Sequence, residues 1–292
     1  MNIGYACINM TLGEQTPRIT TNRSMVKKTF TQKGISYASE LALQNSRDLF
    51  EIIKWNVANG IKLFRISSDM LPWASEYNVE DMPDFTKISN ILKGCGTYAK
   101  DNGLRLTSHP GPFNVLVSPN PKVVENTIKD LELHGKLFDL LGLELSPYNK
   151  INIHCNGVYG DKFAAMDRFC ENFKRLSPSV QKRLTVENDD KASMYSVDDL
   201  VYIHNRIGIP IVFDYHHHTF CTGGLTEEEA LVKAISTWPK GITPVVHYSE
   251  SKEGAKPQAH SDYINRLPNT YKLNVDIMVE AKAKELAILP FL

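Results

Sequence analysis

The stretch Leu184–Asp214 reads LTVENDDKASMYSVDDLVYIHNRIGIPIVFD. It opens and closes on short apolar runs, Leu184–Glu187 and Ile211–Asp214, each of strand length and each ending on a carboxylate. Between them Ser196 precedes Val-Asp-Asp-Leu. A hydroxyl there caps free N–H groups, and acids in the first turn favour the positive end of the helix dipole, so a helix is expected over Val197–Arg206. Strand, helix and strand in this order make a parallel crossover unit.

Outward from that unit the same pattern recurs. Further strands are expected at Ile3–Cys7, Leu63–Ser67, Leu104–Ser108, Ile151–His154, Val245–Tyr248 and Val275–Val279. Helical stretches lie at Glu40–Ala58, Phe85–Asn102 and Pro121–Leu141. Asn59-Gly60 and Asn102-Gly103 follow two of them, where a left-handed cap wants Gly or Asn. Thr226 followed by Glu229 forms a capping box for another helix. The polar strand ends are 45 residues apart (109 to 154), then 33 (154 to 187), 27 (187 to 214), 33 (214 to 247) and 33 (247 to 280). Each gap has room for a crossover helix, so the expectation is a single (β/α)8 TIM barrel over 1–292 with its chemistry at the C-terminal face of the strands. A doubly wound fold would show a glycine-rich phosphate loop after the first strand, and Gly4-Tyr-Ala-Cys-Ile-Asn-Met10 is not one.

Composition narrows the function. The formal net charge is +0 and the hydrophobic content is 42%, which describes a globular chain without a basic surface for indiscriminate nucleic-acid binding. There is no membrane-length apolar run and no signal-peptide pattern, so a cytoplasmic protein is expected. The 5 cysteines form no CxxC pair, which speaks against a zinc ribbon or a disulfide framework.

The strand ends carry the chemistry. They are His109, His154, Glu187, Asp214 with His217, His247, His260 and Glu280. Side chains alternate along a barrel strand, so Glu187 shares an inward face with Thr185, His247 with Val245, and Glu280 with Met278. Any one of these is ordinarily a hydrogen-bonded structural group. Recurrence on strands three to eight points instead to a multi-metal centre, because inward charges are costly unless paired or bound to an ion. Imidazoles and carboxylates suit zinc or manganese. Spacing does not choose among His216, His217 and His218, whereas His134 and His204 fall inside helices. Three carboxylates leave two or three divalent ions with excess positive charge, which attracts a phosphodiester. Clustered ions also suit in-line displacement at phosphorus.

The motifs Gly4-Tyr-Ala-Cys-Ile-Asn9, Ser108-His-Pro-Gly111, Glu187-Asn-Asp, Asp214-Tyr-His-His217 and Val279-Glu-Ala-Lys282 resemble those of UV damage endonucleases. These are TIM-barrel relatives of endonuclease IV-type AP endonucleases. The resemblance implies a manganese-dependent enzyme, with zinc or magnesium as alternatives. It would cut damaged double-stranded DNA immediately 5′ to pyrimidine dimers, and by extension 6-4 photoproducts and abasic sites, leaving a 3′-hydroxyl and a 5′-phosphate. It implies that His109, His154 and Glu187 hold one metal, and that Glu187 bridges to a second held by Asp214, His247 and Glu280. His217 and His260 would hold a third, and Glu187, His109, His247 and Glu280 would carry catalysis. A monomer is expected.

Two positions depart from the family pattern. A lysine found in some members two residues before the strand-seven histidine is Val245 here, and the Gln-Tyr pair after His-Pro-Gly is Pro112-Phe113. Phe113 retains the capacity to wedge into a duplex. The resemblance also places DNA contacts at Tyr5 and Asn9, although Tyr5 reads equally as a core residue. The long first loop, Thr11 to Ser36, carries Arg18, Arg23, Lys27, Lys28 and Lys33 for phosphate contact or as a solvated lid. Lys252 and Lys256 before His260 invite the same two readings. The rivals are an AP endonuclease and a sugar isomerase or epimerase. The latter needs only Glu187, Asp214, His247 and Glu280 and leaves the further imidazoles without a role.

Overall fold

The computed structural model describes residues 1–292. Eight strands pair in parallel: β1 (Ile3–Cys7), β2 (Leu63–Ile66), β3 (Arg105–Ser108), β4 (Ile151–His154), β5 (Leu184–Glu187), β6 (Ile211–Val212), β7 (Val245–Tyr248) and β8 (Asp276–Val279). Their order is β6-β5-β4-β3-β2-β1-β8-β7. The two ends of that order meet, because Asp214 bridges His247 and the His247 N–H donates to Phe213 O at 2.9 Å. The sheet is therefore a TIM barrel, as expected.

Six long helices follow the strands outside: α1 (Lys27–Ala58), α2 (Phe85–Asp101), α3 (Pro121–Leu140), α4 (Lys162–Phe173), α5 (Val197–Ile207) and α6 (Glu227–Ser236). Ser196 with Asp199, and Thr226 with Glu229, form complete capping boxes. Each hydroxyl accepts a backbone N–H while the acid accepts the cap's own N–H. Helix α1 begins earlier than its apolar periodicity suggested. Lys27–Lys33 forms a helical turn kinked from the rest at Gly34, whose φ of 63° ends regular helix there. The expected long loop to Ser36 accordingly stops at Val26.

The gap between β7 and β8 departs from expectation. It holds no helix; residues 249–275 run as an irregular loop with one antiparallel bridge, Ser251 to His260. Gly254, Pro257 and Pro268 break any 3.6-residue period in that segment. The last strand is followed only by a short helix, Glu285–Ile288.

Alternation along the strands separates two interiors. Tyr5, Phe64, Ile211, Val246 and Ile277 face outward into a cluster of 61 buried residues between sheet and helices. Ala6, Leu63, Val212, Val245 and Met278 face inward, with Trp238, in a separate cluster of 6. Gly4 is inward too, and a Cβ there would lie 2.1 Å from Leu63 O, so only glycine lets β1 and β2 approach. The floor is closed by Arg105. It pairs with Asp276 at 3.1 Å and donates to Tyr148 O, Thr243 O and Pro147 O. Above the apolar layer the interior becomes polar.

Candidate metal centre

The C-terminal mouth gathers the expected side chains. Glu187, at the end of β5, is central and has 0% exposure. Its Oε2 lies 3.2 Å from His109 Nε2, 3.8 Å from His154 Nε2 and 3.0 Å from His247 Nδ1. Its Oε1 lies 3.5 Å from His217 Nδ1. His247 Nδ1 is also 3.2 Å from Glu280 Oε1. The imidazoles form an arc, with ring centroids 6.0 Å apart for His247 and His109, and 5.3 Å for His109 and His154. The arc continues at 5.3 Å to His217 and 6.4 Å to His260.

Three groups place their ligand atoms within 4.8 Å of one another: His109, His154 and Glu187; Glu187, Asp214 and His217; Asp214, His247 and Glu280. The first and third follow the expected partition. His217, chosen by the fold over His216 and His218, keeps company with Glu187 and Asp214 instead of forming a group with His260. His260 stands at the edge, its Nδ1 3.7 Å from Glu280 Oε2.

The surroundings orient the rings. The Nδ1 of His109 is 3.0 Å from Pro110 O, that of His217 is 2.9 Å from Asn188 O, and that of His260 is 2.9 Å from Glu280 O. A proton held on Nδ1 by each carbonyl leaves the Nε2 lone pair free, the usual support for a metal-binding histidine. His154 instead sets Nδ1 3.2 Å from Asp189 Oδ1.

Electrostatics argue for an ion in this cradle. Glu187 Oε1 and Asp214 Oδ2 are buried without a hydrogen-bond partner, an expensive arrangement unless a cation completes it. Burial, with Glu187 and Glu280 adding to it, pushes the Asp214 carboxyl up to about 7. Burial would raise Glu187 too, yet His247, His154 and His109 hold it well below the usual carboxylate range. Burial, helped by Lys150 and Arg65, lowers His247 to about 3, so its ring is neutral. Burial opposes protonation of His217, but Asp214, Glu187 and Glu280 raise it to about 9. Hard carboxylate oxygens mixed with imidazoles fit a divalent ion of the zinc or manganese type.

Strand ends alone miss three inward residues. Lys150 Nζ reaches His247 Nε2 at 2.9 Å. Arg65 on β2 holds Glu280 Oε1 at 2.5 Å. The same guanidinium nitrogen is 3.1 and 3.4 Å from the two ring nitrogens of His247, so it lies over the ring rather than along either lone pair. Asn152 donates to Glu187 Oε2 and accepts from Thr185 Oγ1. Counting back in twos from His154 reaches Asn152 and Lys150, so the period of the strand was the available signal. Val245 leaves β7 without a lysine, and the basic side chains beside His247 are Arg65 on β2 and Lys150 just before β4, whose amine burial and Arg65 hold well below the usual lysine range.

The expected DNA-facing residues divide. Phe113 is 85% exposed at the tip of the loop after β3, next to exposed Pro112. Arg18 is exposed. Arg23 is committed to the fold, donating to Asp48 Oδ2 at 2.6 Å, to Thr20 O and to Arg18 O. Tyr5 takes the core position of its two readings. It has 0% exposure, its hydroxyl donates to Asn56 Oδ1 at 2.8 Å, and it accepts from Asn9 Nδ2 at 2.9 Å. Asn9 is likewise buried and caps the short helix Met10–Gly13. Lys252 pairs with Asp262 at 3.1 Å, and Lys256 is exposed.

A closed parallel barrel with a carboxylate–imidazole cluster at its C-terminal mouth defines a class of metal-centred barrel enzymes, hydrolases and epimerases among them. Comparison with known proteins decides within it. The family model described as UV-endonuclease UvdE matches residues 1–292, and the chain belongs to that family of endonucleases. It is 33% identical to a putative UV-damage endonuclease of Acanthamoeba polyphaga mimivirus, over 99% of this chain and 89% of that protein. It is 36% identical to a UV-damage endonuclease of Schizosaccharomyces pombe, where it covers 98% of itself but 49% of the relative. The solved structure of SacUVDE superposes with a TM-score of 0.85 at 33% identity, covering 99% of this chain and 96% of that one. A D-psicose 3-epimerase from Clostridium cellulolyticum H10 shares the barrel at 13% identity, with a TM-score of 0.55 over 95% and 85% of the two chains. No helix is long and apolar enough to cross a membrane.

Proposed function

We propose that this endonuclease cuts damaged double-stranded DNA immediately 5′ to UV photolesions, leaving a 3′-hydroxyl and a 5′-phosphate, and that it does so with two or three manganese ions. The observation that carries the reading is Glu187. Its two oxygens are each approached by imidazoles, and Oε1 has no hydrogen-bond partner. A one-ion epimerase site on the same barrel has no use for His109, His154 and His217 around that carboxylate, nor for His260 beside Glu280.

His109, His154 and Glu187 would hold one ion, and Asp214, His247 and Glu280 with Glu187 a second. His217 falls to the Glu187–Asp214 side and His260 to an outer position. Bound ions supply Lewis acidity for in-line displacement at phosphorus. The chain's own residues do the rest. Backbone carbonyls fix the tautomers of His109, His217 and His260, and Arg65 adds positive charge below the mouth for an anionic strand. Phe113 enters the stack where damage has already weakened it, since unstacking costs least there. In this reading the protein acts as a monomer.

The test is an incision assay with manganese on duplexes carrying one pyrimidine dimer, one abasic site or no damage. Cleavage just 5′ to the dimer, abolished by chelator, supports the proposal. Cutting of the abasic duplex alone would reassign the chain to AP-site incision, and no cutting of any duplex would sink the endonuclease reading.

A further inference from the structure

The loop after β4 carries His154 and then Asn156-Gly-Val-Tyr159 at the barrel mouth. Tyr159 is 50% exposed. Its φ of 50° and the 64° of Asn156 lie in the left-handed region, which residues with a Cβ seldom occupy unless their surroundings impose it. Here they do. The Tyr195 hydroxyl donates to Gly157 O at 3.1 Å. The Asn156 amide donates to Asn114 O at 3.4 Å, tying this loop to the one that presents Phe113. The tyrosine ring lies against Gly157, where a Cβ would come within 2.9 Å of it. The guanidinium of Arg168 sits 5.8 Å from the ring centroid, and its Nε–H is fixed to Val117 O at 2.7 Å. An aromatic ring is thus held at the surface by a braced, strained loop, with a glycine and an arginine as neighbours in place of a hydrophobic cluster.

We infer that Tyr159 stacks on a nucleobase of the bound DNA, acting with Phe113 as a two-point aromatic contact beside the metal centre. This rests on the endonuclease reading above. Every base offers a π-face, so stacking recognises an unstacked base without regard to sequence. That suits a substrate defined by distortion. Arg168 adds a positive charge behind the ring, favourable to the same ligand.

The test uses the full chain and a duplex with one pyrimidine dimer and 2-aminopurine beside it, bound in the presence of calcium to suppress turnover. Tyr159→Ala is expected to weaken binding about tenfold and to leave the bound 2-aminopurine brighter than in the wild-type complex. Tyr159→Trp should restore both values, and Gly157→Ala, which pushes the ring from its seat, should fall between. Circular dichroism and manganese content equal to wild type establish that the variants are folded. Wild-type affinity and wild-type quenching in Tyr159→Ala would overturn the inference while leaving the endonuclease reading intact. A wild-type protein with no affinity for the lesion duplex would overturn both.

Discussion

The floor and the mouth of the barrel both bury charge, and they treat it in opposite ways. At the floor, Arg105 has Asp276 and three backbone carbonyls, and Asp276 also accepts the Asn2 N–H at 2.8 Å. Charge and hydrogen-bonding capacity are matched, so the pair closes the barrel and asks for nothing more. At the mouth, Glu187 Oε1 and Asp214 Oδ2 are buried and unpartnered, while imidazoles converge on the same point. Partners are plentiful there but leave particular lone pairs unused. The difference separates a structural ion pair from a cradle for a ligand, and burial alone would not have told them apart.

Glu187→Gln should cut manganese-dependent incision of a dimer-containing duplex by about a thousandfold, read as single-turnover rates on a denaturing gel. Asp276→Asn should instead act on the fold, lowering the unfolding free energy in urea by about 3 kcal/mol because Arg105 loses its buried counter-charge. That loss should be the same with chelator and with manganese. Lys150→Met, which removes the hydrogen-bond partner of His247 Nε2, should weaken manganese binding by roughly 10–100-fold, measured by calorimetry.

The smallest effect is a pH dependence. In the ion-free protein the Asp214 carboxyl keeps its proton up to about pH 7. Its folded value is raised, so the stability it contributes is present below the ordinary carboxylate range and is lost as pH rises through about 7. Ion binding requires the ionised carboxylate, so the sign for affinity is reversed. Manganese affinity should fall by about tenfold per pH unit below 7 and level off above it. Asp214→Asn should remove that slope along with most of the affinity.

Much of this architecture was legible because barrel strands and caps obey local rules. Leu184–Glu187 forms β5 where its apolar run ends, the second run gives a shorter β6 at Ile211–Val212 with Asp214 bridged to His247 just beyond it, and Ser196 caps the helix between them. The cluster of imidazoles and carboxylates at the mouth followed from the same rule, since a polar residue closing an apolar strand points to the mouth. What was missed lies one step away from that rule. Lys150 and Asn152 share the inward face with His154, but as polar residues at the start of β4 they resemble loop rather than site. Arg65 sits inside β2, which ends on no ligand. Tyr5 was readable either as a DNA contact or as a core residue because parity, not proximity to the strand end, decides which layer a side chain enters. Its neighbours along β1 put it in the outer core with Asn56. Arg23 was legible as basic but not as already paired with Asp48, for a long-range partner leaves no trace in local sequence. The helix-free link after β7 was hidden by its ordinary length.

The central claim is that the mouth, unlike the floor, is built to be completed by metal ions. Titration of the chelator-stripped chain with manganese, followed by calorimetry and by the midpoint of thermal unfolding, tests it most directly. Two or three ions per chain are expected, with a rise in the unfolding midpoint as they bind and loss of both in Asp214→Asn but not in Asp276→Asn. One ion or none, with an unfolding midpoint indifferent to manganese, would contradict it.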